Sequence, residues 1–286
     1  MIVVTVEGSP ASITVRYPEF DFSSTPVVWG PNAEAVIGFD SASPVTTPIE
    51  VFLLKVMRMA KAEMDPATDG ELLRDMDLFN KQEAQHFKTH AGFNKIIREW
   101  CPEVAPIEKA FEKDLNGFLE SKPLRWLVGY CEAFEAVGGL ISPDWVDGDN
   151  ARAAGTFDST VVEMWRWHLA EEYEHREVVW RVYQRLFGTP ADEAHAFRLE
   201  MFNVGRDHFF GYGDRMRRAM LATYRSGMGP DEVRASCERE EEVVNAATEM
   251  LGQRLAPVFS PDYNPAANRR PDQLEEVLAA YAVARH

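Results

Sequence analysis

Two short runs carry the residues able to do chemistry. Residues 82–90 read QEAQHFKTH and residues 165–180 read WRWHLAEEYEHREVVW. In the second run two histidines and four glutamates fall within ten residues, among three tryptophans and with no lysine. Glu83-x-x-His86 recurs as Glu172-x-x-His175. On a helix each such pair lies on one face, at about 100° per residue. Extending that phase along the first run puts Leu72, Met76, Phe79, Glu83, His86, His90 and Ile97 on one stripe. Along the second it aligns Val161, Trp165, His168, Glu172, His175 and Val179, with Glu163, Glu174 and Glu177 opposite. Both stripes are otherwise apolar, so their carboxylates head for the core. An uncompensated buried carboxylate costs several kcal/mol, roughly 3–5 when its partner is missing. Neither stripe offers Lys or Arg, so a metal cation is the expected partner.

Two further helices must then supply carboxylates. Residues 124–140, LRWLVGYCEAFEAVGGL, hold only Glu132 and Glu135 as acids. Glu132 is the favoured ligand, with Glu135 on the same face and a candidate for an outer role. Residues 48–57, PIEVFLLKVM, hold Glu50. Thr47-x-x-Glu50 also fits a capping box, which accounts for Glu50 with no metal. One Glu from each of two helices and Glu-x-x-His from each of two others is the donor pattern of ferritin-like di-metal bundles. The expected set is Glu50, Glu83, His86, Glu132, Glu172 and His175. His90 and His168 exceed it. With the second and fourth helices antiparallel, both lie toward one end of the cluster. At 1.5 Å rise per residue they sit roughly 10 Å and 6 Å from its centre, so His168 reaches it more easily. Each is a candidate ligand, with an outer hydrogen-bonding role as the alternative. Glu171 reads as a surface or outer acid.

The elements follow from this. Bundle helices are expected over 48–63, 69–100, 123–140 and 158–187, with a short amphipathic helix at 106–120. Residues 1–46 read as a hairpin (Ile2–Glu7 and Ser12–Tyr17) and an irregular lead-in. Residues 47–188 form the metal-binding bundle. Residues 189–286 add three or four helices, broken at Gly211-Tyr-Gly213, at 227–229 and in a Pro-rich loop at 257–271. The fold class is all-α, a ferritin-like four-helix bundle with additional C-terminal helices, in a single domain.

Bulk composition narrows the function. The chain has 286 residues and a net charge of −16. Such a surface repels phosphate backbones and anionic membrane, which argues against nucleic-acid binding. No run reaches the roughly 18 apolar residues of a membrane span, and the N-terminus lacks the basic region of a signal peptide. Cys101, Cys131 and Cys237 are scattered, as expected of a reduced cytoplasmic protein without a thiolate site. Gly211-Tyr-Gly213 is too short for a phosphate loop, and Arg215-Met-Arg217-Arg218 reads as a solvated helix face.

The strings QEAQHFKTH, Glu132 in CEAFEA, and WHLAEEYEHREVV resemble the bacterial family described as predicted metal-dependent hydrolases. The resemblance runs from about Arg16 onward and rests on QE-x-x-H-x-x-x-H and W-x-W-H-x-x-EE-x-EH. The third helix departs, with Ala133 and Glu135 where the family has His and Thr. The chain also resembles the diiron hydroxylases of platensimycin-type diterpenoid biosynthesis, which act on a coenzyme A thioester. In its His-x-x-x-Glu-x-x-His spacing it is similar to diiron arylamine N-oxygenases. These resemblances imply a nonheme diiron monooxygenase with two Fe ions, O2 as cosubstrate and an external electron donor of ferredoxin or reductase type. The implied substrate is an apolar small molecule, CoA-linked in the nearest likeness, and a homodimer is compatible. A binuclear metal-dependent hydrolase is the alternative. Phe79, Phe134 and Trp165 are expected to line the substrate cavity.

Overall fold

A computed structural model describes residues 13–282. Among these residues the chain is helical with no strand. The first arm of the expected hairpin, and Ser12, lie outside the described residues. Residues 13–20 form no regular element and pair with no strand among the described residues. Their polar groups turn to side chains instead: the Thr14 N–H donates to Glu174 Oε2 at 3.0 Å.

The lead-in contains a helix that the sequence reading missed, α1 (Ala33–Asp40), whose first turn is capped by the Asn32 side chain. Helix α2 (Ser43–Lys61) begins earlier than expected, with Pro44 in its first turn. Thr47 is therefore inside the helix and the capping-box account of Glu50 fails. Glu50 is fully buried, and Thr47 Oγ1 instead accepts from Asn94 Nδ2 at 3.3 Å. Helix α3 (Pro66–Trp100) starts where Asp65 accepts from the Ala67 N–H and Pro66 supplies a preset φ. Helix α4 (Val104–Ser121) matches the amphipathic segment.

Helix α5 (Leu124–Val146) does not stop at Gly138-Gly139. Those glycines serve a close approach: a Cβ on Gly138 would run into the Glu172 carboxylate, and one on Gly139 would press Arg176 Cβ at 3.0 Å. Between the expected third and fourth helices, where a Gly/Asp-rich loop is read from SPDWVDGDNARAAG (142–155), the chain forms α6 (Asp149–Ala154). The expected fourth helix is two, α7 (Thr160–His175) and α8 (Val178–Phe187). At the joint the Arg176 guanidinium bonds Tyr173 O at 2.6 Å, occupying the carbonyl that the next helical N–H would use. Helix α9 (Ala191–Arg225) runs unbroken through Gly211-Tyr-Gly213, because buried Phe209, Tyr212 and Met216 anchor both sides. Helices α10 (Pro230–Leu255) and α11 (Leu274–Ala280) complete the chain.

Helix α2 packs on α3 and α5 on α7, and the pairs α2–α5 and α3–α7 close a four-helix bundle. Helix α9 covers α5, α8 lies against α5 and α3, and α11 lies on α7. Both predicted stripes, on α3 and on α7–α8, are buried along their whole length. Among the described residues no helix is long and apolar enough to cross a membrane.

Candidate metal centre

The bundle core is not apolar at its middle. Residues of α3 and α7 meet there in antiparallel register. Gln82 Oε1 lies 3.0 Å from His175 Nδ1. His86 Nδ1 lies 3.5 Å from Glu172 Oε1, and His90 Nε2 lies 2.7 Å from His168 Nδ1. Helix α2 adds Glu50 and α5 adds Glu135. The donor atoms form two groups, each within 4.8 Å: Glu50, His86 and His168, and Glu83, Glu135, Glu172 and His175. All seven residues are at most 2% exposed. Glu172 joins the groups, with Oε1 at 3.5 Å from His86 Nδ1, 3.1 Å from His168 Nε2 and 3.3 Å from His175 Nε2. His175 Nε2 also lies 3.2 Å from Glu83 Oε1 and 3.4 Å from Glu135 Oε2.

Glu132 stands apart from both groups. It is buried against Arg198 of α9, whose Nη1 is 3.4 Å from Glu132 Oε1. Helix α5 turns Glu135 to the bundle and Glu132 to α9. Local spacing cannot separate the two, because i and i+3 share a face, and the deciding cation is far along the chain. His90 also lies outside both groups. Its Nδ1 meets Ser43 Oγ at 2.7 Å and its Nε2 meets His168, so both ring nitrogens are engaged. Phe134 packs on Phe209, away from the cluster. Phe79 meets the His175 ring edge-on at 4.8 Å, Trp167 meets His86 at 5.0 Å, and Trp165 stacks on His168 at 5.6 Å. Arg217 and Arg218 pair with Asp214, and the Arg215 guanidinium lies over the Tyr212 ring.

The outer hydrogen bonds fix which nitrogen each histidine turns inward. Gln82 Nε2 donates to Glu174 Oε2 at 2.6 Å and to Thr14 O at 3.1 Å, so its Oε1 accepts from His175 Nδ1. Ser43 Oγ donates to Asn94 Oδ1 at 2.5 Å, so it accepts from His90 Nδ1. His90 Nε2 then accepts from His168 Nδ1. His86 Nε2 donates to Glu171 Oε2 at 3.1 Å. The inward atoms are thus His86 Nδ1, His168 Nε2 and His175 Nε2, each available as a lone-pair donor. Glu171 is fully buried and holds His86 rather than facing solvent. Glu174, expected on the solvated face, is held by Arg16 of the lead-in at 3.0 Å. The sequence reading missed Arg16, whose segment has no helical phase to place it.

Many of these atoms make no hydrogen bond among the described residues: both oxygens of Glu50, Glu83 and Glu135, Glu172 Oε2, His86 Nδ1 and His175 Nε2. Orphaned buried acceptors are costly and call for explanation. Metal cations would satisfy them all, so the donor set fits a dimetal centre. In the metal-free fold protons stand in. Burial opposes charge on His86, but hydrogen bonds and the charges of Glu171 and Glu83 outweigh it and raise its pKa to about 10. Burial likewise opposes charge on His175, but Glu172 and Glu135 hold its pKa well above the ordinary value. Burial, then the Glu172 charge, pushes Glu135 up to about 8. Burial and Glu83 push Glu50 well up. Glu172 is the exception: burial raises it, but His175 and His168 together hold it well below the carboxylate range. Burial and the neighbouring imidazoles keep His90 and His168 below theirs.

A search of curated proteins and of solved structures finds no match. One family model matches residues 14–268, a span that takes in all seven cluster residues and the Arg16 segment. The chain belongs to the family described as predicted metal-dependent hydrolase.

Proposed function

We propose that the chain is a nonheme diiron enzyme that uses O2 to hydroxylate a C–H bond of an apolar small molecule. The observation that carries this reading is the donor set itself. It consists of carboxylates and imidazoles without a thiolate, almost fully buried, in two groups that meet at Glu172. Glu50, His86 and His168 would hold one ion, and Glu83, Glu135, Glu172 and His175 the other. Hard oxygen and imidazole donors suit iron. When bound, iron supplies the redox chemistry through which O2 oxidises the substrate. One oxygen atom enters the C–H bond and the other leaves as water, which consumes a pair of electrons and a pair of protons. An external ferredoxin- or reductase-type donor provides the electrons.

The protein's own part is positioning and exclusion. Glu171, Gln82 and His90 hold the three histidine rings by their outer nitrogens. Phe79, Trp165 and Trp167 pack against those rings and keep bulk water away. The resemblance to diterpenoid hydroxylases makes an apolar acyl-CoA the substrate class to try first.

The family description favours a second reading, a binuclear hydrolase in which two ions activate water. One experiment separates them. The iron-loaded chain is reduced without air, then mixed with O2, and gas uptake is followed. Rapid uptake per dimetal site, faster than that of an E172A variant, supports oxygenation. No uptake, together with hydrolysis of an acyl-CoA by the zinc-loaded chain, sinks it.

A further inference from the structure

We propose that Arg16, which touches no cluster atom, positions one histidine at each of the two candidate metal sites. The inference rests on metal binding alone and is independent of whether the chemistry is oxygenation or hydrolysis. Arg16 lies in the irregular lead-in and is 7% exposed. Its guanidinium divides between two acids of α7. Nη1 donates to Glu171 Oε1 at 3.0 Å and to Glu174 Oε2 at 3.0 Å, and Nη2 donates to Glu174 Oε1 at 3.1 Å. Nε donates to Leu278 O at 3.2 Å and Nη1 to Thr14 O at 2.8 Å, which tie the fork to both ends of the described chain.

Two lines of hydrogen bonds leave this fork. The first runs through Glu171, whose Oε2 accepts from His86 Nε2 at 3.1 Å. The second runs from Glu174 Oε2 to Gln82 Nε2 at 2.6 Å, and from Gln82 Oε1 to His175 Nδ1 at 3.0 Å. Each line ends on the ring nitrogen opposite the one that faces the cluster. His86 belongs to one donor group and His175 to the other. The third cluster histidine, His168, is held by a separate line through His90, Ser43 and Asn94.

The physical logic is that a histidine presents a defined lone pair only when its outer N–H has a fixed acceptor. Glu171 is a fully buried carboxylate, and Gln82 orients its oxygen because Glu174 and the Thr14 carbonyl, both bonded by Arg16, hold its amide. Both acids depend on the same cation. A planar guanidinium bonds two carboxylates at fixed angles, and a lysine ammonium does not. Removing the fork leaves two buried acids uncompensated and frees both rings to turn.

The test compares wild type, Arg16→Met, Arg16→Lys and Arg254→Met, a control that removes the Arg254–Asp144 pair away from the cluster. Co(II) affinity is measured by competition with a chelating dye. Ring-nitrogen NMR of the histidine-labelled, zinc-loaded chain reports each tautomer. R16M is expected to bind Co(II) about 10- to 100-fold more weakly, the range for outer partners of metal-bound histidine. His86 and His175 signals shift and those of His168 stay. R16K falls between R16M and wild type, and R254M matches wild type. Adding Gln82→Leu to R16M costs less than the two separate losses combined, because both cut one line. Folded R16M with wild-type affinity and unshifted His86 and His175 overturns the proposal, as does an equal shift of all three rings. If R16M does not fold, R16K decides: wild-type Co(II) affinity in R16K overturns it. Failure of wild type to bind Co(II) sinks the metal reading itself, which is a separate result.

Discussion

At the residue scale the account turns on which acid of α5 belongs to the cluster. Glu135 reaches His175 while Glu132 faces Arg198. Burial and Glu172 raise the Glu135 pKa to about 8, so near pH 7 its carboxyl is mostly neutral in the metal-free fold. Glu135→Gln imitates that neutral form. It should leave metal-free stability within about 0.5 kcal/mol of wild type and lower metal content sharply, checked by thermal unfolding and elemental analysis. Glu132→Gln should do the reverse, keeping the metal and losing about 1–3 kcal/mol from the weakened buried contact to Arg198. The Glu-x-x-His pairs and Glu50 were legible in the sequence because helical phase alone carries them inward. Arg16 and Arg198 were not, since each reaches its acid across more than 60 intervening residues. No local pattern encodes such a pairing.

At the element scale, helix existence was easier to read than helix bounds. Helices α3 and α7 start at caps the sequence reading passed over, Asp65-Pro66 and Ser159, within three residues of the expected starts. Glycine misled at both Gly138-Gly139 and Gly211–Gly213, because within a helical pattern it can mark an end, a close approach or neither, and only the neighbouring helix decides. The two positions now separate. Gly138→Ala puts a methyl against the Glu172 carboxylate. It should cost about 1–3 kcal/mol and displace Glu172, with bound metal falling in parallel. Gly211→Ala meets nothing within 4 Å and should stabilise α9 by about 0.5–1 kcal/mol through helix propensity. Thermal unfolding and metal analysis of the two variants side by side check both outcomes.

At the scale of the whole molecule, the cluster couples folding, protons and metal. His86 and Glu135 have folded-state pKa values raised to about 10 and about 8, and His175 and Glu50 are raised as well. A group with a raised folded pKa contributes stability below its unfolded pKa and loses it as pH rises through the folded value. His90 and His168 are lowered, so their linkage acts below about pH 6.5, the ordinary histidine value. Between pH 7 and 9 the raised groups therefore dominate, and the metal-free chain should unfold at progressively lower temperature. Metal must displace the same protons, so metal affinity should rise over that interval. Calorimetric titration in buffers of different ionisation enthalpy measures the protons released. The bundle as a whole was legible because two long amphipathic stripes demand partners. The lead-in was not, since its order comes from long-range contacts, Arg16 with α7 and α1 with α9 and α10, rather than from any periodicity of its own.

The central claim is that one buried cluster holds two metal ions. Elemental analysis of the chain expressed with added iron, repeated after exhaustive chelation and controlled reloading, tests it most directly. The account predicts about two ions per chain for wild type, consistent with its two donor groups, together with a higher unfolding temperature on reloading and loss of that gain in Glu172→Ala. Fewer than one ion per chain, with an unfolding temperature indifferent to chelation and reloading, would contradict it.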